Sequence, residues 1–464
     1  MQRLLAIAFL TFKATYRFRL IPVLSLLLLG TVVALPMIIK DDGTARGFTQ
    51  ILMTYTLTVT TAVLGFASLW LACGILAREV EEGQMQTVAV KPVARWQIWL
   101  GKWLGIMMLN GLLLGLAGAA VYGLMQWRAR QLPPAQQQVL RNEVLVARAS
   151  VKEQRRNLEP LVEQEFKRRT SQTVMSELDR KVIRDQIREQ IKAGVQIVRP
   201  GFARRWVIEL GPRRHFLKDQ PLYIRTKFTT AQKSVSDLSA PRTYPTFWEV
   251  GVPETAKYWQ SQMNLAADSF HEFAISPNLF DDQGRLTIDC ANPGEVDLLF
   301  LLEDGMEVLY REGGFGLNFI RGLGIIFFWL ALLAAVGLAA ASFLSFPVAA
   351  FLSLGILIVG LSSGTLSQVI QEGGISGVNH DTGFIEKQYW IDKIVVAVFS
   401  GLLKIVNLVQ GFSPVDSLST GRSITWWQLG QALTQIVLLL GGIFGGLGMI
   451  LFTRRELATA QGNQ

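Results

Sequence analysis

Long uncharged runs alternate with short polar patches along this chain, and one long polar region interrupts them. By hydropathy, apolar segments suited to crossing a membrane fall at about 20–39, 50–77, 103–126, 318–343, 347–364 and 427–452. Each comes near the ~20 residues that a helix needs to cross the hydrocarbon core. Ahead of them, Leu5, Phe9, Phe12 and Tyr16 recur at three- and four-residue spacing, while Arg3, Lys13, Arg17 and Arg19 are basic. That pattern predicts an interfacial helix lying on an anionic leaflet rather than a mere basic flank. Residues 392–410 are apolar but carry Asp392, Lys393 and Lys404, which are costly at the centre of a bilayer. They are read as a re-entrant or interfacial helix, which leaves six spans.

The polar region, 127–316, changes character near residue 198. From Pro134 to Val198 it is charged and helical in pattern, with Leu140, Val144, Val151 and Leu158 on one face of a first half. Leu178, Val182, Ile187 and Ile191 share a face in the second. Proline is welcome only in a helix's first turn, so Glu159-Pro160 is expected to join two helices folded into a hairpin. From Gly201 onwards short alternating runs ("RWVIEL", "LYIRTKFTT", "TFWEVGV", "RLTIDCANP", "VDLLFLL", "MEVLYR") lie between turn residues. They predict an all-β sandwich or jelly roll.

Composition sharpens this picture. Half of the 464 residues are hydrophobic, mean hydropathy is positive and the formal charge is +9. The reading is an α-helical integral membrane protein, with a large soluble protein as the bland alternative. The N-terminus, the 78–102 patch and Arg454-Arg455 are basic, so with six spans all three fall on the cytoplasmic side of a plasma (inner) membrane. The 127–316 region then lies outside. Two cysteines, Cys73 and Cys290, make no disulfide framework, and three scattered histidines give no metal signature.

One patch between apolar runs is unlike a loop. "GILAREVEEGQMQTVAVKPVARWQIWLGKWLG", residues 74–105, mixes acids (Glu79, Glu81, Glu82) with apolar residues such as Met85, Trp96 and Trp99 that need packing partners. Pro92 is expected to break it into two short helices within 78–99, apolar on one side and charged on the other. Such helices suit a groove on a partner protein.

This stretch resembles the coupling region of the type 2 ABC-transporter permeases. The resemblance rests on Arg78-Glu79, Glu82-Gly83, Thr87, Lys91-Pro92, Arg95 and Gly101-Lys102, with the family's Gly-Thr pair spread out here as Gly83 and Thr87. The basic amphipathic start and the ending "LFTRRELATA" are similar to the family's as well. The similarity covers about 1–126 and 318–460. It implies a permease subunit that works with a separate cytoplasmic ABC ATPase, as a homodimer or beside a related permease. Glu79, Glu82, Gly83, Thr87, Lys91, Pro92, Arg95 and Lys102 would then couple the two. Four segments follow: 1–126 in the membrane, 127–200 as hairpin, 201–316 as sandwich, and 317–464 in the membrane with interfacial helices within 366–426. Many family members keep their largest outer segment late, whereas this chain inserts about 190 residues between spans three and four.

Other constellations carry less. No G-x-x-x-x-G-K-[ST] occurs: Gly101-Lys102 is followed by Trp103, so the chain lacks its own ATPase motif. No catalytic residue, cofactor or metal is expected. "GLSSG" at 360–364 has the nucleophile-elbow spacing but needs a strand–turn–helix setting and a His/acid pair to be a membrane-anchored hydrolase. Gly111 and Gly115, and Gly441 and Gly445, have small-x-x-x-small spacing, suited either to packing within the chain or to a dimer seam. Aromatics of the β region (Trp206, Tyr223, Phe247, Trp248, Tyr258, Trp259) are expected mostly in its core, with the remainder able to bind a glycan or a periplasmic protein. Interleaved acids and bases over 128–214 read as a solvated helix face, not a nucleic-acid site. A non-transporting alternative relays an ATPase stroke through the hairpin to a periplasmic partner.

Overall fold

The computed structural model describes residues 2–17, 20–38, 44–85, 93–154, 157–170, 177–211, 214–230, 242–253, 255–302, 305–372 and 390–455. The chain forms two compact units: Met1–Ala147 together with Gly313–Gln464, and Arg148–Glu312. The first is helical and the second holds the hairpin and most of the β structure.

In the helical unit, Gln2–Arg17 and Leu20–Ile38 are followed by the long helices Ala45–Glu81 and Arg95–Ala129. Phe315–Ala341, Phe346–Leu361, Ser363–Glu372, Trp390–Gln410 and Pro414–Ser419 come next, and a last helical run covers Trp426–Arg454, π-helical over Leu433–Gly441. Caps define several ends. Thr44 accepts from the Gly47 amide at the start of Ala45–Glu81, and Thr425 caps the last run through the Gln428 amide. Gly83, at φ +71, takes the left-handed conformation just past the Glu82 cap.

Glycines set the closest helix crossings. A Cβ at Gly105 would lie 2.6 Å from Thr11 Cβ, and one at Gly101 2.8 Å from Ile7, so Gln2–Arg17 rests directly on Arg95–Ala129. A Cβ at Gly65 would meet Leu333, and one at Gly337 would meet Ala72 and the Leu69 carbonyl. Four residues along one helix match about four to seven along the other, so Ala45–Glu81 and Phe315–Ala341 run in the same direction. Tyr122 stacks on Phe315 at 6.4 Å, which brings the end of Arg95–Ala129 to the start of Phe315–Ala341.

Among the described residues, five helices are long and apolar enough to cross a membrane: Gly47–Glu81, Arg95–Ala129, Phe315–Ala341, Ile394–Ser419 and Trp426–Arg454. This corrects the expected six. Four coincide with expected spans. The expected spans at 20–39 and 347–364 correspond to shorter apolar stretches, Pro22–Ala34 and Phe346–Leu361. At 1.5 Å per residue the latter extends only about 24 Å, short of a ~30 Å core. The remaining one, Ile394–Ser419, overlaps the 392–410 stretch assigned to an interface: it begins after Asp392 and Lys393, so of the three charges weighed there only Lys404 falls within it. A second correction concerns the patch. Arg95, Trp96, Ile98 and Trp99 are the first turns of the long Arg95–Ala129 helix, not a separate short one, since no helix breaker follows Arg95. The expected break at Pro92 lies outside the described residues, as do Thr87 and Lys91.

The second unit is a sandwich with a helical hairpin in its chain. Its strands are β1 (Val146–Val151), β2 (Ile197–Val198), β3 (Ala203–Glu209), β4 (Leu222–Thr226), β5 (Thr229–Thr230) and β6 (Thr243–Gly251). β7 (Tyr258–Ala266), β8 (His271–Ile275), β9 (Arg285–Ala291), β10 (Leu298–Leu299) and β11 (Met306–Gly314) complete it. They form sheets in the orders β1-β11-β4-β8, β3-β9-β6-β7 and a small β2-β10-β5. Alternate residues of the two larger sheets (Ile224 and Val308; Trp206, Trp248 and Ile288) bury one shared core around Phe228 and Phe300.

The hairpin is real but is built differently from the expectation. Its arms are Glu159–Thr170 and Glu177–Gln196; of the stretch before Pro160, Pro134–Val139 and Leu140–Val144 are helical as expected, and Val146–Val151 departs from the expectation as β1. In "VARASV" the β-branched ends favour a strand, and pairing within the β1-β11-β4-β8 sheet completes it. Val162 and Ile187 are fully buried, and Arg188–Glu159 (2.9 Å) and Arg184–Glu163 ion pairs join the arms. Pro160 sits in the first helical turn, as its missing N–H requires.

Candidate functional site

Several helix ends gather at one end of the helical unit: the finish of Ala45–Glu81, the start of Arg95–Ala129, the finish of Phe315–Ala341, the start of Phe346–Leu361 and the finish of the last helix. The last carbonyls and first amides of a helix lack internal partners, so such a gathering needs polar side chains. The 78–102 patch supplies them.

Glu79, near the end of its helix, receives the Lys102 ammonium at 2.6 Å. Lys102 is only 5% exposed and Glu79 32%, so the pair sits at the edge of the packed interior. Glu81 Oε1 accepts from the Phe346 amide at 2.8 Å, capping the start of Phe346–Leu361. The Arg78 guanidinium lies 4.4 Å from the centre of the Phe346 ring, whose edge meets Trp70. Glu82 is exposed and takes a hydrogen bond from the Gln84 amide group at 2.7 Å.

Arg95 reaches across to the end of the chain's last helix. One of its terminal nitrogens donates to the carbonyls of Phe452 (3.2 Å), Thr453 (2.7 Å) and Arg455 (2.8 Å). A cation there also complements the negative end of the helix. Arg455 in turn donates to the carbonyls of Ala341 (3.2 Å) and Ser342 (3.4 Å), where Phe315–Ala341 finishes. Trp99, one turn past Arg95 and 2% exposed, donates its indole N–H to Ser342 Oγ at 3.2 Å. Its ring fills the space left by two glycines: a Cβ at Gly448 would lie 2.9 Å from Nε1, and one at Gly445 3.3 Å from the ring.

Of the residues assigned from sequence, the structure brings Glu79 with Lys102, and Arg95 with the chain's last helix, into one assembly. Glu82 and Gly83 stand at its rim. Gly445 packs on Trp99 within the chain, and Gly111 only touches Phe327 at 3.5 Å. Gly115 faces open space, and Gly441 meets the Ile436 carbonyl of its own helical run. Sequence reasoning marked Trp99 as needing a packing partner but missed Ser342 and Arg455, and it did not use the small-residue spacing of Gly101-x-x-x-Gly105.

The other candidates resolve simply. Ser362 and Ser363 of "GLSSG" join two helices, with no strand before them. Trp206 and Trp248 are core, Tyr223 is buried, Phe247 and Trp259 are half-buried, and Tyr258 is exposed. Among the described residues no group of His, Cys, Asp or Glu could hold a metal ion. No protein-family model, no curated protein and no solved structure matches the chain.

Proposed function

We propose that this chain is the permease subunit of an ATP-driven transporter of the type 2 ABC kind, exporting its substrate across the cytoplasmic (inner) membrane with a separate cytoplasmic ATPase. The observation that carries the proposal is the gathering of Glu81, Arg95, Ala341 and Arg454 at one end of the helical unit. Helices finishing at one end, with the acidic turn and Gly83 between them, suit a surface that receives a push from a partner. In this reading that end is cytoplasmic, and the polar 127–316 region, which leaves from the other end of Arg95–Ala129, is extracytoplasmic.

Against the five helices of membrane length, this reading takes four as crossings and adds the shorter apolar helices Leu20–Ile38 and Phe346–Leu361. Gln410 donates to the Gly360 carbonyl at 3.2 Å, so the stretch between them returns to the level at which it left. That supports a re-entrant excursion over Trp390–Gln410 in place of a net crossing. A second permease copy or a related permease, membrane lipid, and a glycan or protein at the outer sandwich complete the proposed partners.

Cysteine placed singly at Arg169 and at Gln84 tests the sidedness. An impermeant thiol reagent should label the first from the outer face of intact membranes and spare the second. Reversed labelling overturns the topology and the coupling assignment together.

A second reading keeps the ATPase and drops the transport: the stroke is relayed to a periplasmic partner. The cross-arm ion pairs Arg188–Glu159 and Arg184–Glu163 favour it, because they tie the two arms together over the first turns of Glu159–Thr170.

A further inference from the structure

The hydrogen bonds around Arg95 close into a ring. Arg95 holds the Arg455 carbonyl, Arg455 holds the Ala341 and Ser342 carbonyls, Ser342 Oγ accepts from Trp99, and Trp99 sits one turn from Arg95 on the same helix. Three helices meet in this ring: the start of Arg95–Ala129, the finish of Phe315–Ala341 and the finish of the last helix. Ser342 Oγ also donates to the Leu338 carbonyl at 2.8 Å, which anchors the ring in its own helix. Glycines 445 and 448 let the Trp99 ring lie against the last helix with no side chain between. The two neighbouring arginines divide their work: Arg454 is exposed, while Arg455 turns inward.

A ring of this kind resists relative sliding. Displacing any one helix along its axis breaks hydrogen bonds to a charged group, which are stronger than neutral ones. Such contacts between otherwise apolar helices also fix one register among several similar packings. We infer that Arg95 and Arg455 are positioning residues that make these three helix ends move as one body, carrying a displacement of the 78–99 segment into Phe315–Ala341 and the last helix. This inference rests on the coupling role proposed above for that segment.

The test uses the full chain purified with its ATPase, and reads movement far from the ring. Leu317, at the opposite end of Phe315–Ala341, is 59% exposed, and Gln84 is exposed beside the ring. Cysteine is placed at one or the other, and its alkylation rate is compared with and without ATP. Both native cysteines are buried and give little background. The expected result is that ATP changes the rate at both positions in the parent complex. Arg455→Ala should keep the ATPase bound and keep the ATP response at Gln84→Cys. Its ATP response at Leu317→Cys should fall about tenfold, the scale set by losing charge-assisted hydrogen bonds. Trp99→Phe, which keeps the ring packing and removes the indole donor, should reduce the same response by a smaller factor and guards against a misfolded Arg455→Ala. Full ATP responses at Leu317→Cys in both variants overturn the linkage while leaving the permease reading standing. A parent chain that carries no ATPase overturns the permease reading, and the relay with it.

Discussion

Lys102 and Glu79 form an ion pair whose two ends differ in burial: the ammonium is almost enclosed, while the carboxylate keeps a third of its surface. The asymmetry makes a prediction. Removing the carboxylate by Glu79→Gln strands a buried cation and should destabilise by about 3 kcal/mol, toward the lower end of the range for breaking such pairs. Lys102→Met removes the buried charge and leaves a carboxylate that water can reach, so it should be the milder change. Thermal unfolding in detergent ranks the two variants. Equal losses, or a worse Lys102→Met, would show that the pair is not held as described.

The contact of the N-terminal helix with Gly101 and Gly105 predicts a sharp difference between glycines. A Cβ at Gly105 would stand 2.7 Å from the Ala8 carbonyl, and backbone cannot swing aside. Gly105→Ala should therefore displace Gln2–Arg17 and lose about 1–3 kcal/mol. At Gly115 nothing lies within 4 Å, so Gly115→Ala should be close to neutral. Protease sensitivity of the N-terminal helix checks both. A Gly105→Ala protein as resistant as the parent contradicts the crossing.

In the sandwich, burial pushes the Cys290 thiol up, and the nearby Arg204 only partly offsets this. A raised pKa in the folded state means that folded and unfolded chains are equally protonated below about pH 8.5, the ordinary thiol value. Above it, the unfolded thiol ionises and the folded one does not. Stability from this group then falls by about 1.4 kcal/mol per pH unit. Cys290→Ala starts less stable because of the cavity but lacks that slope. Hydrogen exchange of the Arg285–Ala291 amides, corrected for intrinsic rates, should show the gap between the two proteins narrowing from pH 8 to pH 10. A constant gap contradicts the prediction.

Glu82 is the cleanest probe of the proposed coupling surface, since it is exposed and its carboxylate takes a hydrogen bond from the neighbouring Gln84 side chain. Glu82→Lys should leave abundance and thermal unfolding unchanged while weakening ATPase association by roughly 2–5 kcal/mol. Arg95→Glu is a compound change: it would also repel the carbonyls of Phe452, Thr453 and Arg455. Pull-down of the ATPase with each variant, alongside melting, separates the two effects. Unaltered association in Glu82→Lys removes this residue from the interface.

How much of this was legible in the sequence follows from the physics of each signal. Apolar length revealed the long helices Ala45–Glu81, Arg95–Ala129 and Phe315–Ala341, because uninterrupted hydrophobicity is local. Strands β3, β6, β9 and β11 showed by their alternation. β7 did not: "YWQSQMNLA" mixes polar residues into an edge strand whose identity comes from its pairing with β6. β1 was hidden for the same reason, since it follows directly on the helical residues Leu140 and Val144, whose spacing reads on into it.

The site was legible in composition but not in its contacts. Acids after a span and a Gly at position 83 announced a helix end and a turn. Nothing local could pair Arg95 with carbonyls more than 350 residues away, or Trp99 with Ser342, because those partners exist only once three helices meet. The same charged residues that suggest an outward-facing coupling surface are partly consumed in holding the helix ends together.

The central claim is that this chain receives force from a separate ATPase, and purification of the tagged chain in mild detergent tests it most directly. The account predicts that a P-loop polypeptide co-purifies in fixed proportion, that the preparation hydrolyses ATP, and that replacing the P-loop lysine of that polypeptide abolishes the activity. A chain that purifies without any P-loop partner, or one that hydrolyses ATP by itself, would contradict it.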